Sequence, residues 1–148
     1  MAEPRDRATR KADALAMLAA EVDVWVATAS STGAPHLIPL SLAWADERVI
    51  IAIPKSSVTA HNLGETGAAR LAVGPTGDVV MIDAVVDKAA SAAEDAALAE
   101  TFAAHADWDP RRDPTYIYFV LRPVRVQAWR EANEIAGRTL MRNGGWQI

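Results

Sequence analysis

Residues 22–53, VDVWVATASSTGAPHLIPLSLAWADERVIIAI, hold three apolar runs separated by turn residues. Val22–Ala29 is rich in β-branched and aromatic residues, and Ser30-Ser31-Thr32-Gly33 forms a turn cluster before a second run, Leu37–Trp44. This arrangement predicts a β-hairpin. Ala45-Asp46-Glu47 then separates Trp44 from Val49-Ile50-Ile51-Ala52-Ile53, and the three runs together predict an antiparallel meander.

Upstream, Ala12, Ala14, Leu15, Leu18 and Ala19 recur at helical spacing. They predict a short helix ending near Glu21, preceded by a polar, Arg-rich and flexible N-terminus over residues 1–10. Downstream, Pro54-Lys55-Ser56-Ser57 breaks the strand pattern and supplies hydroxyl caps for a helix over Val58–Glu65 that stops near Gly67. Ala69–Val73 and Val79–Val86 flank the hairpin turn Gly74-Pro75-Thr76-Gly77. Lys88–His105 is dominated by Ala and Glu, with Leu98 and Phe102 one turn apart, and predicts an amphipathic helix of about 3–5 turns. Tyr116–Leu121 and Val124–Trp129 read as one long strand interrupted at Arg122-Pro123, where the proline marks an edge or a bulge. Glu131–Ile148 shows no periodicity. About six strands with two or three interposed helices make a mainly β, α+β pattern, and a small closed barrel hides its edges. The absence of βαβ alternation argues against a doubly wound nucleotide fold.

The 148 residues suit one domain spanning the chain, and 51% apolar with 23% charged residues excludes disorder as a description of the whole. There is no cysteine, which removes thiolate catalysis, iron–sulfur ligation and disulfides together. A net charge of −4 lacks the positive field that holds a polyanionic polymer, so nucleic-acid binding is not expected. Charges or prolines break every apolar stretch before it reaches membrane-spanning length, and the first twelve residues do not form an apolar signal core. A cytoplasmic protein without membrane or nucleic-acid partners is expected.

Catalytic signatures are sparse. His36, His61 and His105 fall in three separate elements without metal-ligand spacing, so no metal is expected. No G-x-S-x-G elbow, P-loop or G-x-G-x-x-G is present. The richer stretch is Ile53-Pro54-Lys55-Ser56-Ser57-Val58-Thr59, running into a helix that contains Asn62. Hydroxyls, a lysine and the free N–H groups of a helix start are what a phosphate monoester needs. The plainer reading of this turn is a capped helix with a solvated lysine.

The order of motifs carries more than any one of them. Val26-Ala27-Thr28-Ala29, Gly33-x-Pro35-His36-x-Ile38-Pro39-Leu40, Ser57-x-Thr59-Ala60-x-Asn62-Leu63 and Ala69-Arg70-Leu71-Ala72-Val73 resemble the split-barrel flavin-binding superfamily of pyridoxamine 5'-phosphate oxidase. In style they are closest to the actinobacterial flavin/deazaflavin-dependent oxidoreductases. Trp108-Asp109, Asp113-Pro114-x-Tyr116, Arg122-Pro123-x-Arg125-Val126-x-Ala128-Trp129 and Gly137-Arg138-Thr139-Leu140-Met141-Arg142 extend the likeness from about Val24 to Trp146.

The resemblance implies a homodimeric, antiparallel, six-stranded split β-barrel with short flanking helices and a planar cofactor between subunits. It implies a flavin or deazaflavin cofactor and hydride transfer to or from a small organic substrate; FMN is preferred, with deazaflavin F-420 as the alternative, because the pocket is short of the basic residues that the polyanionic tail of F-420 would favour. The strand His36, Leu37, Ile38, Pro39, Leu40 and Ser41 would lie along the ring. Lys55, Ser56, Ser57 and Thr59 would hold the phosphate, with Asn62 nearby, and His36 and Ser41 are the polar groups beside the ring. Trp108, Trp129 and Trp146 are candidates for contacts made by the partner subunit, or for ordinary core and dimer packing. Where oxidases of the superfamily carry Ser-Arg-Lys at the helix start, this chain has Ser57-Val58-Thr59, so two positive charges are missing unless Lys55 or Arg70 compensates. Weaker flavin-phosphate affinity follows. Two other readings stay open: a non-catalytic module that sequesters flavin or heme, and a dimer that has lost its cofactor.

Overall fold

The computed structural model describes residues 2–148. Helix α1 (Arg7–Ala20) leads into strands β1 (Asp23–Ala29), β2 (Pro35–Ser41), β3 (Ala43–Ala45) and β4 (Arg48–Pro54). Helix α2 (Val58–Thr66) precedes the hairpin of β5 (Ala68–Val73) and β6 (Val79–Ala90). Helix α3 (Ala96–His105), the long β7 (Tyr116–Trp129), a 3-10 turn (Ala132–Glu134) and the hairpin β8 (Thr139–Arg142) and β9 (Gly145–Trp146) complete the chain. All pairs are antiparallel, in the path β2-β1-β5-β6-β7-β4-β3, with β8 on β7 and β9 on β8. The two ends of the path, β2 and β3, are separated by one residue, the fully buried Leu42, so the sheet curls back on itself.

The sheet therefore has nine strands among the described residues, where the sequence predicts six. One extra strand comes from Leu37–Trp44, which Leu42 divides into β2 and β3. Two more come from the C-terminal stretch, whose short strands carry no period because Asn143 and Gly144 turn the chain between them with positive φ. The predicted meander is present, with its middle run divided at Leu42: β1 pairs with β2, and β3 pairs with β4 from Ala43 opposite Ile50 to Ala45 opposite Arg48. The other side of β4 lies against the first half of β7, from Val49 opposite Leu121 to Pro54 opposite Tyr116. The uninterrupted run Val49–Ile53 explains this, since a strand apolar on both sides must be covered on both faces. Its inward residues join the barrel core with Val24, Val26, Leu71, Ile82, Leu121, Val126 and Leu140, on which α1 sets Ala14 and Leu18. Its outward Ile50 and Ala52 form a second cluster with Ala43, Ala99, Phe102 and Tyr118 beneath α3.

The helix predicted over Lys88–His105 is shorter. Lys88, Ala89 and Ala90 extend β6 and pair with Val120, Phe119 and Tyr118, so sheet pairing overrides the helical preference of the alanines. Ser91 and Glu94 then exchange backbone-to-side-chain hydrogen bonds, and Asp95 caps α3 by accepting from Leu98 N. The interruption at Pro123 is a bulge within one continuous β7: the register shifts between Asp83 opposite Arg125 and Ala84 opposite Pro123. β4 leaves β7 at Leu121 and β8 joins at Val126, so the missing N–H of Pro123 falls where neither strand needs it. In the β5–β6 turn, Gly74 has φ +88, and a Cβ there would meet the Asp78 carbonyl at 2.5 Å. Only glycine fits.

One polar atom of the second cluster is unusual. The Tyr118 hydroxyl is buried without a hydrogen-bond partner among the described residues, and burial pushes its pKa up. An unmade buried hydrogen bond costs more than the group returns. Tyr118→Phe is expected to stabilise the fold by about 1 kcal/mol, a rise in Tm of about 2–4 °C for a chain of this size, with the Phe102 edge contact at 5.5 Å retained. Calorimetry of the variant checks this; a lower Tm would show that the hydroxyl has a partner.

Candidate functional site

The turn after β4 is built by backbone and cap. Lys55 N donates to Thr115 O at 2.8 Å and Ser57 N to Pro54 O at 3.0 Å, which turns the chain out of the sheet. Ser57 Oγ accepts from Ala60 N at 3.1 Å, capping α2, whose other end closes on Gly67 in the left-handed conformation. The first-turn N–H groups of Val58 and Thr59 are among those a helix start does not satisfy internally. Lys55 and Ser56 are exposed, and Lys55 makes no ion pair among the described residues.

The other two members of this group point elsewhere. Thr59 is fully buried and its Oγ1 has no partner, while Asn62 Nδ2 donates to Thr28 Oγ1 at 3.1 Å inside the core. Asn62 thus ties α2 to β1. Arg70 is taken by Asp83 across the β5–β6 pair at 2.5 and 3.2 Å, which raises the guanidinium pKa and leaves Lys55 as the cation of the turn. One cation, hydroxyls and helix-start N–H groups, with the orphaned Thr59 hydroxyl behind them, fit a single phosphate monoester without the doubled charge of the oxidases.

β2 is an edge strand, linked to α2 through Thr28, which lies opposite His36 and accepts from Asn62. It pairs with β1 alone among the described residues, so the backbone groups along its other side have no ladder partner. Its exposed positions are Pro35, Leu37 and Pro39, alternating with the half-buried His36, Ile38 and Leu40. Ser41 Oγ donates to Asp107 Oδ1 at 3.2 Å. Register sets Leu37 opposite Ala27 and Pro39 opposite Trp25. Trp25 (49% exposed) and Leu37 (61%) therefore sit on one outer apolar face. Two open hollows flank that face. One of about 460 Å³ is lined by Trp25, Pro39, Ala72 and Pro75; the other, about 530 Å³, has a small-residue lining that includes Ala27, Ala29, Ala68, Val85 and Val124, with Arg70 and Asp83. Sequence reading missed Trp25, although the alternation of β1 places it on the outward phase with Asp23, and a tryptophan on a polar phase is the signal.

The three predicted tryptophans are not brought together within the chain. Trp108 packs edge-on against Phe102 and Tyr116, with centroids at 6.2 and 5.1 Å. Trp129 lies under the Arg138 guanidinium at 5.7 Å. Trp146 Nε1 donates to Glu47 Oε1 at 2.8 Å, and Lys11 Nζ stands 4.8 Å from its ring. These contact sets share no residue, and none includes the Lys55–Thr59 turn or β2.

No helix among the described residues is long and apolar enough to cross a membrane. Residues 11–130 match the sequence model of the family described as pyridoxamine 5'-phosphate oxidase. No curated protein matches the sequence. Among solved structures, an F420 reductase is similar at 16% identity over 75% of this chain and 93% of that one, with a TM-score of 0.60. A heme binding protein from Mycobacterium smegmatis is 19% identical over 97% of this chain and 60% of its own, with a TM-score of 0.68. A putative pyridoxamine 5'-phosphate oxidase from Listeria innocua is 11% identical over 82% and 98%, with a TM-score of 0.66. At these identities the likeness concerns the fold.

Proposed function

Because the chain belongs to the pyridoxamine 5'-phosphate oxidase family, we propose that it is an FMN-dependent oxidoreductase, with deazaflavin F-420 as the alternative cofactor. It passes hydride to or from a small organic substrate in a groove between two copies of the chain. The observation that carries this reading is β2: an edge strand with unpaired backbone groups, bearing apolar side chains, whose neighbour β1 is tied through Thr28 to the helix that starts at the turn fitting one phosphate. A flavin ring has a broad apolar face and a polar pyrimidine edge, and such a strand suits both.

The bound ring supplies the redox chemistry. The chain supplies position. Backbone groups of residues 36–41 fix the polar edge of the ring, Leu37 and Pro39 exclude water beside it, and His36 is the titratable side chain of the strand. Lys55, Ser56 and the Val58 and Thr59 N–H groups hold the phosphate. Trp108, Trp129 and Trp146 are offered to the partner's groove. Asn62 acts through Thr28, keeping α2 seated on β1.

Titration of the purified protein with FMN, F-420 and heme, followed by fluorescence and calorimetry, tests the reading. Saturable binding of FMN or F-420 at one site per subunit is expected, followed by reduction of the bound cofactor and turnover of an acceptor. Lys55→Ala removes the one charge-assisted contact of the turn and is expected to weaken FMN binding about tenfold. Unchanged affinity would remove the turn from the site. Binding of heme alone, or of flavin without turnover, would replace the oxidoreductase with a sequestering protein.

A further inference from the structure

The densest positive charge of the molecule lies away from the flavin turn. Arg7 from the start of α1, Arg125 from β7, Arg138 before β8 and Arg142 at its end line one cleft of about 500 Å³, and no acidic residue lines it. This is a concentration of cations in a chain whose net charge is −4. Mutual repulsion makes such a cluster unfavourable unless an anion offsets it.

Two of the arginines, Arg125 and Arg138, are held in place by a buried amide. Gln127, 9% exposed, sits at the base of the cleft. In the orientation that satisfies its neighbours its oxygen accepts from Arg125 Nη2 at 2.9 Å, Thr139 Oγ1 at 3.1 Å and Arg138 Nε at 3.3 Å. Arg7 Nη2 donates to Thr139 O at 2.6 Å and Arg138 Nη1 to Ile135 O at 3.0 Å. Arg138 is further steadied over the Trp129 ring. Each guanidinium has five donors, so these contacts fix Arg7, Arg125 and Arg138 and leave most donors unspent, while Arg142 is free of side-chain hydrogen bonds among the described residues. Arg7, Arg138 and Arg142 have no carboxylate partner among the described residues, and Asp83, 3.7 Å from Arg125, is shared with Arg70.

We propose that this cleft is a binding site for a small polyanion, a phosphate-bearing molecule with at least one further negative group. Planar guanidinium forks match phosphate and carboxylate oxygens, and ordering them in advance lowers the entropy lost on binding. The concave shape favours a small molecule over an extended polymer. Gln127 and the flavin turn lie toward opposite ends of β7, Lys55 being bonded to Thr115 just before its first residue. The eleven residue steps from Tyr116 to Gln127 trace a strand contour of roughly 36 Å. Within one subunit the cleft is thus separate from the phosphate turn.

The probe is inorganic pyrophosphate, titrated calorimetrically into the full chain without flavin. One saturable site per subunit is expected, weakening steeply with salt. Arg138→Gln with Arg142→Gln is expected to weaken it by about tenfold or more, whereas Arg111→Gln with Arg112→Gln, an equal charge change on an exposed loop, leaves it within about twofold. Arg142→Gln alone breaks no hydrogen bond among the described residues and carries the test if the double variant is unstable, with a loss of about threefold or more. Absence of saturable binding, or equal losses in the cleft and loop variants, would overturn the proposal. Competition separates the sources: displacement of pyrophosphate by FMN or F-420 makes the anion part of the cofactor, and simultaneous binding makes it a separate ligand. Because Lys55→Ala tests the flavin turn without touching the cleft, failure of one assignment does not resemble failure of the other.

Discussion

Glu134→Gln is expected to cost about 3–5 kcal/mol of unfolding free energy at neutral pH, because it leaves the buried Arg10 guanidinium without a counter-charge and Arg5 with Asp13 alone. Glu134 is 3% exposed and Arg10 4%. The carboxylate accepts from Arg5 N and Nε at 2.9 Å, from Arg5 Nη2 at 2.8 Å and from Arg130 N at 2.9 Å, with Arg10 Nε at 3.6 Å. Arg10 Nη1 also donates to the Glu134 carbonyl at 2.9 Å. Residues predicted to form a flexible arm are thereby pinned to the other end of the chain, and α1 is locked over the barrel mouth. The Arg5 hydrogen bonds hold the Glu134 pKa at about 2, against 4.5 for an ordinary glutamate. This contribution is therefore complete above pH 4.5 and is lost as pH falls toward 2, a difference equivalent to about 3 kcal/mol. Urea unfolding from pH 2 to 7 measures it. The wild type should lose stability through that window and Glu134→Gln should lack that component; parallel pH profiles would show that the buried pair contributes nothing.

That network also shows what a sequence conceals. Arg5 and Glu134 are 129 residues apart, and nothing local in either marks the other. Features set by neighbouring residues were legible: Ser57 as the cap of α2, Gly74-Pro75 as the β5–β6 turn, Pro123 as an edge or a bulge, and the β-branched run Val22–Ala29 as a strand. Those set by remote partners were not. β4 pairs with β7 on the side away from β3, and Lys88–Ala90 becomes strand because β7 offers it a ladder. In the candidate site, the hydroxyl-rich turn was legible from composition. The inward placement of Thr59 and the diversion of Asn62 to Thr28 were not, since a short helix does not reveal which face the barrel will cover. The four-arginine cleft is assembled from residues 7, 125, 138 and 142, so only folding reveals it.

The outer face of β1 and β2 gives the second large effect. Trp25→Asp combined with Leu37→Asp is expected to turn a dimer at micromolar concentration into a monomer, raising the dissociation constant about 100-fold or more, since unpaired carboxylates in an apolar interface core are strongly unfavourable. The register that sets Trp25 opposite Pro39 and Leu37 opposite Ala27 makes these side chains one continuous apolar patch. Both are exposed in the single chain, so the substitutions leave the barrel core intact and the monomer should retain the wild-type circular dichroism and Tm. Sedimentation velocity reads the assembly, and FMN titration of the same samples reads the site. Loss of flavin affinity together with the dimer is the expected pairing, because the proposed groove lies between two copies and takes Trp108, Trp129 and Trp146, whose ring and hydrogen-bond partners in their own chain lie outside β2, from the second copy. A variant that remains dimeric would move the interface to another face. A monomer that binds FMN as tightly as the wild type would place the whole cofactor site in one subunit and leave the tryptophans to packing alone.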